Sequence, residues 1–167
     1  MKLEETQRLQ SVVRALIFGQ DHLLLTRWRD SYAFCIGGRV EHGEPLHKAV
    51  QRELCEETGL QGRIAKLLYF DENFFYQNHL AWHEYGWYFL MEAEGSLPSL
   101  DQVLPNPDHP DLSIQWVPIA DLPQTEIYPR FLRRFLLADF QNGFRDNPRH
   151  ILSNELVEPP QIRPLPF

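Results

Sequence analysis

A chain of 167 residues with 43% hydrophobic content is long and apolar enough to bury one real core, which excludes a disordered polymer. Its formal charge of −7, from 16 basic and 23 acidic residues, argues against a general nucleic-acid binder. No apolar run approaches the ~18 residues of a membrane span. Met1 to Gln10 is polar and charged, without the apolar stretch of a signal peptide, so a location away from membranes is expected.

In chain order, Ser11 to Phe18 and His22 to Trp28 are rich in Val, Ile, Leu and Phe. With Gly19-Gln20-Asp21 between them they read as a β-hairpin. Ala33 to Ile36 reads as a short strand running into Gly37-Gly38, where a backbone turn can pass close to a ligand. A helix follows. Glu44-Pro45 suits its start, because proline is tolerated at the first helical position. Thr58-Gly59 suits its stop, with Gly59 free to adopt the left-handed cap conformation. Leu46, Ala49, Val50 and Leu54 recur at three- and four-residue steps and give the helix an apolar face.

The last turns of this helix carry Glu53, Glu56 and Glu57. At about 100° per residue, Glu57 lies roughly 40° from Glu53 around the axis, and Glu56 about 60° to the other side. All three project from one side of the helix, where like charges repel. A divalent cation is the economical compensation. Oxygen-only ligands favour Mg²⁺ first and Mn²⁺ second.

Beyond the helix, Arg63 to Asn73 and Trp82 to Glu92 read as strands. In the second, His83, Tyr85, Trp87 and Phe89 share one face, and Trp82, Glu84, Gly86 and Tyr88 the other. Leu97 to Asp111 holds Pro98, Pro105, Pro107 and Pro110 and reads as a loop, of a length common over sites. Ser113 to Val117 is a short strand, Pro118 to Leu122 one helical turn, and Pro129 to Phe140 a helix packed on the sheet. Residues 1–140 thus form one domain. Residues 141–167, with Pro159, Pro160, Pro164 and Pro166, read as an irregular tail. The tail is expected to extend freely, to cover a sheet edge or to meet the second subunit of a homodimer. Cys35 and Cys55 are too few for a disulfide framework and lack zinc-ligand spacing, so a reducing cytoplasm is the simplest setting.

The stretch Gly38 to Leu60 follows the pattern G, five residues, E, seven residues, R-E-L-x-E-E-x-G-L. It resembles the Nudix box, and every defining position matches. The similarity extends from about Val12 to about Leu137 and is strong only in the box. One departure is Ile36, where many members carry proline before the paired glycines. It changes the stiffness of the loop and leaves the ligand set alone. The resemblance implies an α/β fold, an α/β/α sandwich around a mixed sheet. It implies metal-dependent hydrolysis of a nucleoside diphosphate linked to another moiety: ADP-ribose, a nucleotide sugar, a dinucleotide or a modified nucleoside triphosphate. It implies Glu53, Glu56, Glu57 and the Gly37 carbonyl as metal ligands. It also implies Arg52 as the residue that orients Glu53 and pairs with Glu44, with Gly38, Glu44 and Gly59 structural. A catalytically inactive ligand sensor on the same fold is the alternative, and a prenyl-diphosphate isomerase a more distant one.

The chemistry asked of these residues is specific. A diphosphate resists hydrolysis because its charge repels a nucleophile, and the chain's own net charge adds to that repulsion. Bound cations reverse the sign locally, neutralise phosphate oxygens and acidify a water. Glu53 is the first candidate to accept that water's proton, and a base outside the box is an equal one. The catalytic set is therefore Glu53, Arg52 and Glu57. Further acids, Glu72, Glu84, Asp108, Asp111 and Glu126, are candidates to complete a metal site. Arg39, Glu84 and Phe74 are candidate substrate contacts, and Trp28, Phe75 and Trp82 could stack on a base.

Overall fold

The computed structural model describes residues 6–155 and 161–163. Its elements are β1 (Gln7–Leu16), β2 (Phe18–Gly19), β3 (His22–Trp28), β4 (Tyr32–Arg39), α1 (Leu46–Thr58), β5 (Gln61–Gln77) and β6 (Leu80–Glu94). There follow β7 (Leu104–Pro105), β8 (Leu112–Pro118), a 3-10 helix (Ile119–Gln124), β9 (Ile127–Tyr128), α2 (Phe131–Gln141), β10 (Arg149–Asn154) and β11 (Gln161–Arg163). The sheet order is β11-β10-β5-β6-β1-β4-β3-β8-β7, with β2 paired to β3 and β9 to β4. It is mixed: β1 runs parallel to β6, β10 to β5 and β9 to β4, while the other pairs are antiparallel.

Alternation along the strands splits the apolar residues into two cores. On one side Val13, Ala15, Ile36, Phe89 and Met91 pack with Ala49, Val50 and Leu54 of α1. On the other, Tyr69, Tyr88 and Cys35 pack with Phe131, Leu132 and Leu136 of α2. This is an α/β/α sandwich around a mixed sheet, as the box implied. The two helices clamp the sheet from opposite sides, so β4 and β1 form a rigid floor beneath α1.

The helix bounds come close to expectation. Gly59 caps α1 with φ 73°, and its N–H reaches Cys55 O at 2.8 Å. Pro45 stands one position earlier than expected, at the cap itself, where its carbonyl accepts from Lys48 and Ala49. Several strands run longer than the sequence signals. β5 and β6 continue to a two-residue turn at Asn78-His79, both with positive φ, a conformation usually marked by glycine and here taken without one. The 97–111 stretch, expected to be all loop, contributes β7 at the sheet edge, where Pro105 lacks only a donor the edge does not need.

The largest correction lies after α2. Residues 149–154, expected to be part of an irregular tail, form β10 alongside β5, with Ile151 fully buried. Parallel pairing buries such a strand on both faces, so it lacks the alternation that would have announced it. Pro159, Pro160, Pro164 and Pro166 lie outside the described residues.

Candidate active site

The glycine pair and the last turns of α1 face each other across a very short gap. Gly37 sits at φ 143°, and a Cβ there would lie 2.0 Å from Val13 O, so only glycine fits. Its amide donates to Glu57 Oε1 at 3.1 Å. A Cβ on Gly38 would lie 2.6 Å from Glu53 Oε1, so the Glu53 carboxylate occupies the space that a side chain would take. Glu53 and Glu57 thus bracket the two glycines.

Arg52 ties the cluster together. Its guanidinium donates to Glu44 at 2.8 and 2.9 Å, to Glu53 Oε1 at 2.8 Å, to Glu56 Oε2 at 3.1 Å and to the Arg39 carbonyl at 3.2 Å. The pair with Arg52 holds Glu44 well below the usual carboxylate range, at about 2. Burial pushes the Glu53 carboxyl up, with Arg52 opposing and Glu56 adding to the rise. Glu56 itself is 57% exposed at its side chain.

Glu57 is the inner member, 5% exposed. Its Oε2 accepts from Thr26 Oγ1 at 3.3 Å and from Asn106 Nδ2 at 3.1 Å. Burial pushes its carboxyl up to about 7, against the Gly37 amide and Arg14, with the charges of Asp108 and Glu53 adding to the rise. A carboxylate in this setting gains much from a nearby cation.

The donor set is made of hard oxygens, the kind that suits Mg²⁺ or Mn²⁺. Among the described residues no three His, Cys, Asp or Glu side chains converge closely enough to hold an ion as they stand. The reason is visible: Arg52 already bridges Glu53 and Glu56, and Glu57 is turned toward Gly37, Thr26 and Asn106. The residues fit a cation provided the Arg52 fork lets go of at least one carboxylate. The helix presents all three on one side, as its spacing requires.

Three residues beside the box were not singled out from sequence. Arg14 of β1 donates to the carbonyls of Cys35 and Gly37 at 3.1 and 3.2 Å, and its guanidinium lies 5.8 Å from the Phe34 ring centre. Thr26 is fully buried beneath Glu57. Asn106 reaches the same carboxylate from the β7–β8 side. Arg14 and Thr26 each interrupt an apolar strand, which is the signal that could have found them. Asn106 sits in the 97–111 stretch, whose length pointed to a site without singling out this residue.

The other sequence candidates disperse. Asp108 is close enough to Glu57 to raise its pKa. Asp111 pairs with Arg29 at 2.8 Å and Glu126 with Arg133 at 3.0 Å, both at the surface. Arg39 is exposed at the end of β4. Glu84 is buried beside Gln10, whose amide donates to it. Phe74 stacks on His83 at 4.3 Å. Asn73 pairs with Glu84 and Phe74 with His83, so Glu84 and Phe74 point to opposite faces of the sheet. One ligand moiety lying on one face does not meet both. Glu72 Oε2 accepts from His150 Nε2 at 3.0 Å, on the Phe74 side. Phe75 and Trp82 stack on each other at 6.1 Å, and Trp28 packs on His109 at 4.8 Å. A cavity of about 580 Å³ lined by Gln7, Arg8, Leu9, Phe74, Ala81, Trp82 and His83 contains no box residue. Cys35 is buried, its thiol pushed up to about 12 by burial, and Cys55 is exposed; both are free. No helix among the described residues is long and apolar enough to cross a membrane.

Comparison with known proteins agrees with this architecture. The family model for the NUDIX domain matches residues 8–137. Among solved structures, the MutT protein from Bacillus halodurans superposes with a TM-score of 0.64 at 17% identity, over 94% of this chain and 99% of that one. The E. coli ORF135 protein gives 0.56 at 22% identity, over 86% and 96%. A NUDIX hydrolase from Nitrosomonas europaea gives 0.56 at 15% identity, over 87% and 77%. At these identities the likeness is one of fold. No curated protein sequence matches. With the matched region covering most of its length and the box complete from Gly38 to Leu60, the chain belongs to the NUDIX domain family.

Proposed function

We propose that this chain hydrolyses a diphosphate bond in a small nucleoside diphosphate derivative, with Mg²⁺ or Mn²⁺ as cofactor. The observation that carries the reading is the bracket of Glu53 and Glu57 around Gly37-Gly38, reinforced by Arg52 and Glu44. Glu53, Glu56, Glu57 and the Gly37 carbonyl would hold the cation. When bound, it would neutralise phosphate oxygens and acidify a water.

The chain's own residues supply the rest. Glu53 accepts the proton of the attacking water at a carboxylate oxygen, its rise in pKa bringing it nearer the operating range of a base. Arg52 keeps that carboxylate in one orientation. Asp108 is the candidate base outside the box, being the acid beyond it that acts on Glu57. Arg14, between the Cys35 and Gly37 carbonyls and the Phe34 ring, places a positive charge beside an otherwise acidic site. It supports binding of an anionic substrate by a chain of net charge −7.

The printed names of two of the structural relatives, a MutT protein and a NUDIX hydrolase, are in keeping with this reading. The test is a panel of ADP-ribose, nucleotide sugars, dinucleotides and nucleoside triphosphates with Mg²⁺ and with Mn²⁺. Release of nucleoside monophosphate or of a phosphate product, abolished by chelation, is expected. Tight binding without turnover across the panel would show a sensor instead.

A further inference from the structure

The connection from Gly95 to Asp111 between β6 and β8 is tied to the rest of the fold by side chains: Trp28 packs on His109, Leu104 packs on the core beneath α1, and three polar contacts join them. Trp116 Nε1 donates to Pro98 O at 3.1 Å, Arg29 pairs with Asp111 at 2.8 Å, and Asn106 donates to Glu57. Only the last reaches the box. We propose that Asn106 is a positioning residue for Glu57: it fixes the carboxylate in one orientation and couples the 95–111 connection to whatever that carboxylate binds. The effect on turnover rests on the reading of the box given above. The clamp itself does not.

The geometry leaves little freedom. Asn106 is 4% exposed. Its Oδ1 accepts from the Asp108 amide at 2.9 Å, which requires Nδ2 to be the atom facing Glu57. Its own amide donates to Leu112 O at 3.3 Å, and the preceding β7 is paired to β8 through Leu104 and Ile114. Ile114 in turn pairs with Thr26, the second donor to the same oxygen. Backbone ladders therefore hold both donors in register with Glu57.

The consequence is chemical. A carboxylate has about four lone-pair sites. Thr26 and Asn106 take those of Oε2, and Gly37 takes one of Oε1. The remaining site is on Oε1, the oxygen held at the glycine pair. Asn106 thus leaves the open lone pair of Glu57 on the oxygen beside Gly37, where it would be available to a cation held by the box. It does so while its other amide atom holds Asp108 in the same loop turn. Without the clamp, Oε2 would sit buried and short of a donor, and the carboxylate would rotate to find one.

Asn106→Leu keeps the branched shape and removes both side-chain hydrogen bonds. Asn106→Ser is the second variant: it retains a short acceptor for the Asp108 amide and is too short to reach Glu57. Mn²⁺ binding is followed by electron paramagnetic resonance, and kcat and KM on the best substrate of the panel. For both variants Mn²⁺ binding is expected to weaken ~10- to 100-fold, the usual effect of losing a partner that orients a metal ligand. The expected kinetic signature is a fall in kcat with KM within about twofold, as for an interaction realised in the transition state.

A double-mutant cycle of Asn106→Leu with Glu57→Met, read as urea unfolding without metal, is expected to be non-additive by ~2- to 100-fold in the unfolding constant. An additive cycle overturns the clamp. Wild-type Mn²⁺ affinity in a folded Asn106→Ser protein, whatever its stability, overturns the positioning role and leaves a loop tie. If the parent chain neither binds Mn²⁺ nor turns over any substrate, the box reading fails and the cycle alone decides the clamp.

Discussion

Arg52 and Glu44, eight residues apart, meet through two parallel hydrogen bonds, Nε to Oε1 at 2.8 Å and Nη2 to Oε2 at 2.9 Å. This fork leaves Nη1 for Glu53 and Glu56. One side chain thereby anchors the loop before α1 and sets the orientation of the inner carboxylates. Lysine keeps the charge and loses the planar fork. Arg52→Lys is expected to lower kcat by roughly 10- to 100-fold, comparable with the loss of a partner that orients a metal ligand. Steady-state kinetics at saturating Mg²⁺ decide it, and a near-parental kcat would remove Arg52 from the orienting role.

The two glycines of the box should fail in different ways. Gly37 has no room for a Cβ, with Val13 O 2.0 Å away and φ at 143°. Gly37→Ala is therefore expected to lower stability, through backbone strain of ~1–3 kcal/mol plus the clash. Gly38 lacks the unusual φ, and the nearest atoms its Cβ would meet are the end of the Glu53 side chain, at 2.6 Å. Gly38→Ala is expected to keep most of the stability and lose turnover as Glu53 is pushed aside. Thermal unfolding and kcat measured on both variants separate the two cases.

Glu57→Gln preserves shape and removes the charge. Loss of a ligand that serves the transition state is expected to lower kcat by ~10²–10⁵, about 3–7 kcal/mol of barrier. Turnover close to that of the parent chain at saturating Mg²⁺ would refute its assignment as a ligand.

Glu57 also leaves a mark on stability. Burial raises its folded-state value to about 7 from an ordinary 4.5, so between those limits the folded state binds more protons than the unfolded one. Stability from this group is full below about pH 4.5 and is lost as pH rises through 7, by up to ~3 kcal/mol. Urea unfolding of the metal-free protein from pH 4.5 to 8 should show that decline. In Glu57→Gln the share due to this residue should vanish. A cation at the carboxylate opposes the effect, so added Mg²⁺ should stabilise more at pH 8 than at pH 5.

Far from the box, Asp139 of α2 is 2% exposed and accepts from Tyr69 Oη at 2.7 Å and Arg149 Nη2 at 2.6 Å. It joins α2 to β5 and β10. Asp139→Ala strands the buried Tyr69 hydroxyl and takes the inner partner from the part-buried Arg149, which keeps Asp146 at 3.6 Å, and is expected to cost about 1–3 kcal/mol of stability. Denaturant unfolding measures this. A loss below ~1 kcal/mol would show that the network relaxes around the gap.

Helix α1, its Gly59 cap and the one-sided row of Glu53, Glu56 and Glu57 were legible in the sequence, because helical spacing and caps are local properties. The box likewise named Arg52 and Glu44 as partners, and the two are in contact. The division of β6 into two faces followed from its alternation. β10 and the glycine-free Asn78-His79 turn were not legible. The first gains its place from pairing with a strand some eighty residues earlier, and the second takes a conformation that its residue types only tolerate.

By itself the amino-acid order determined the family, the helix of the box and which carboxylates share its side. Only the tertiary structure decided what each carboxylate touches. Arg52 spans Glu53 and Glu56, while Thr26, Gly37 and Asn106 converge on Glu57 from three separate elements. Those contacts depend on strand register and on a long connection folding back over the sheet. They arise from packing between residues distant in the chain, which no local spacing encodes.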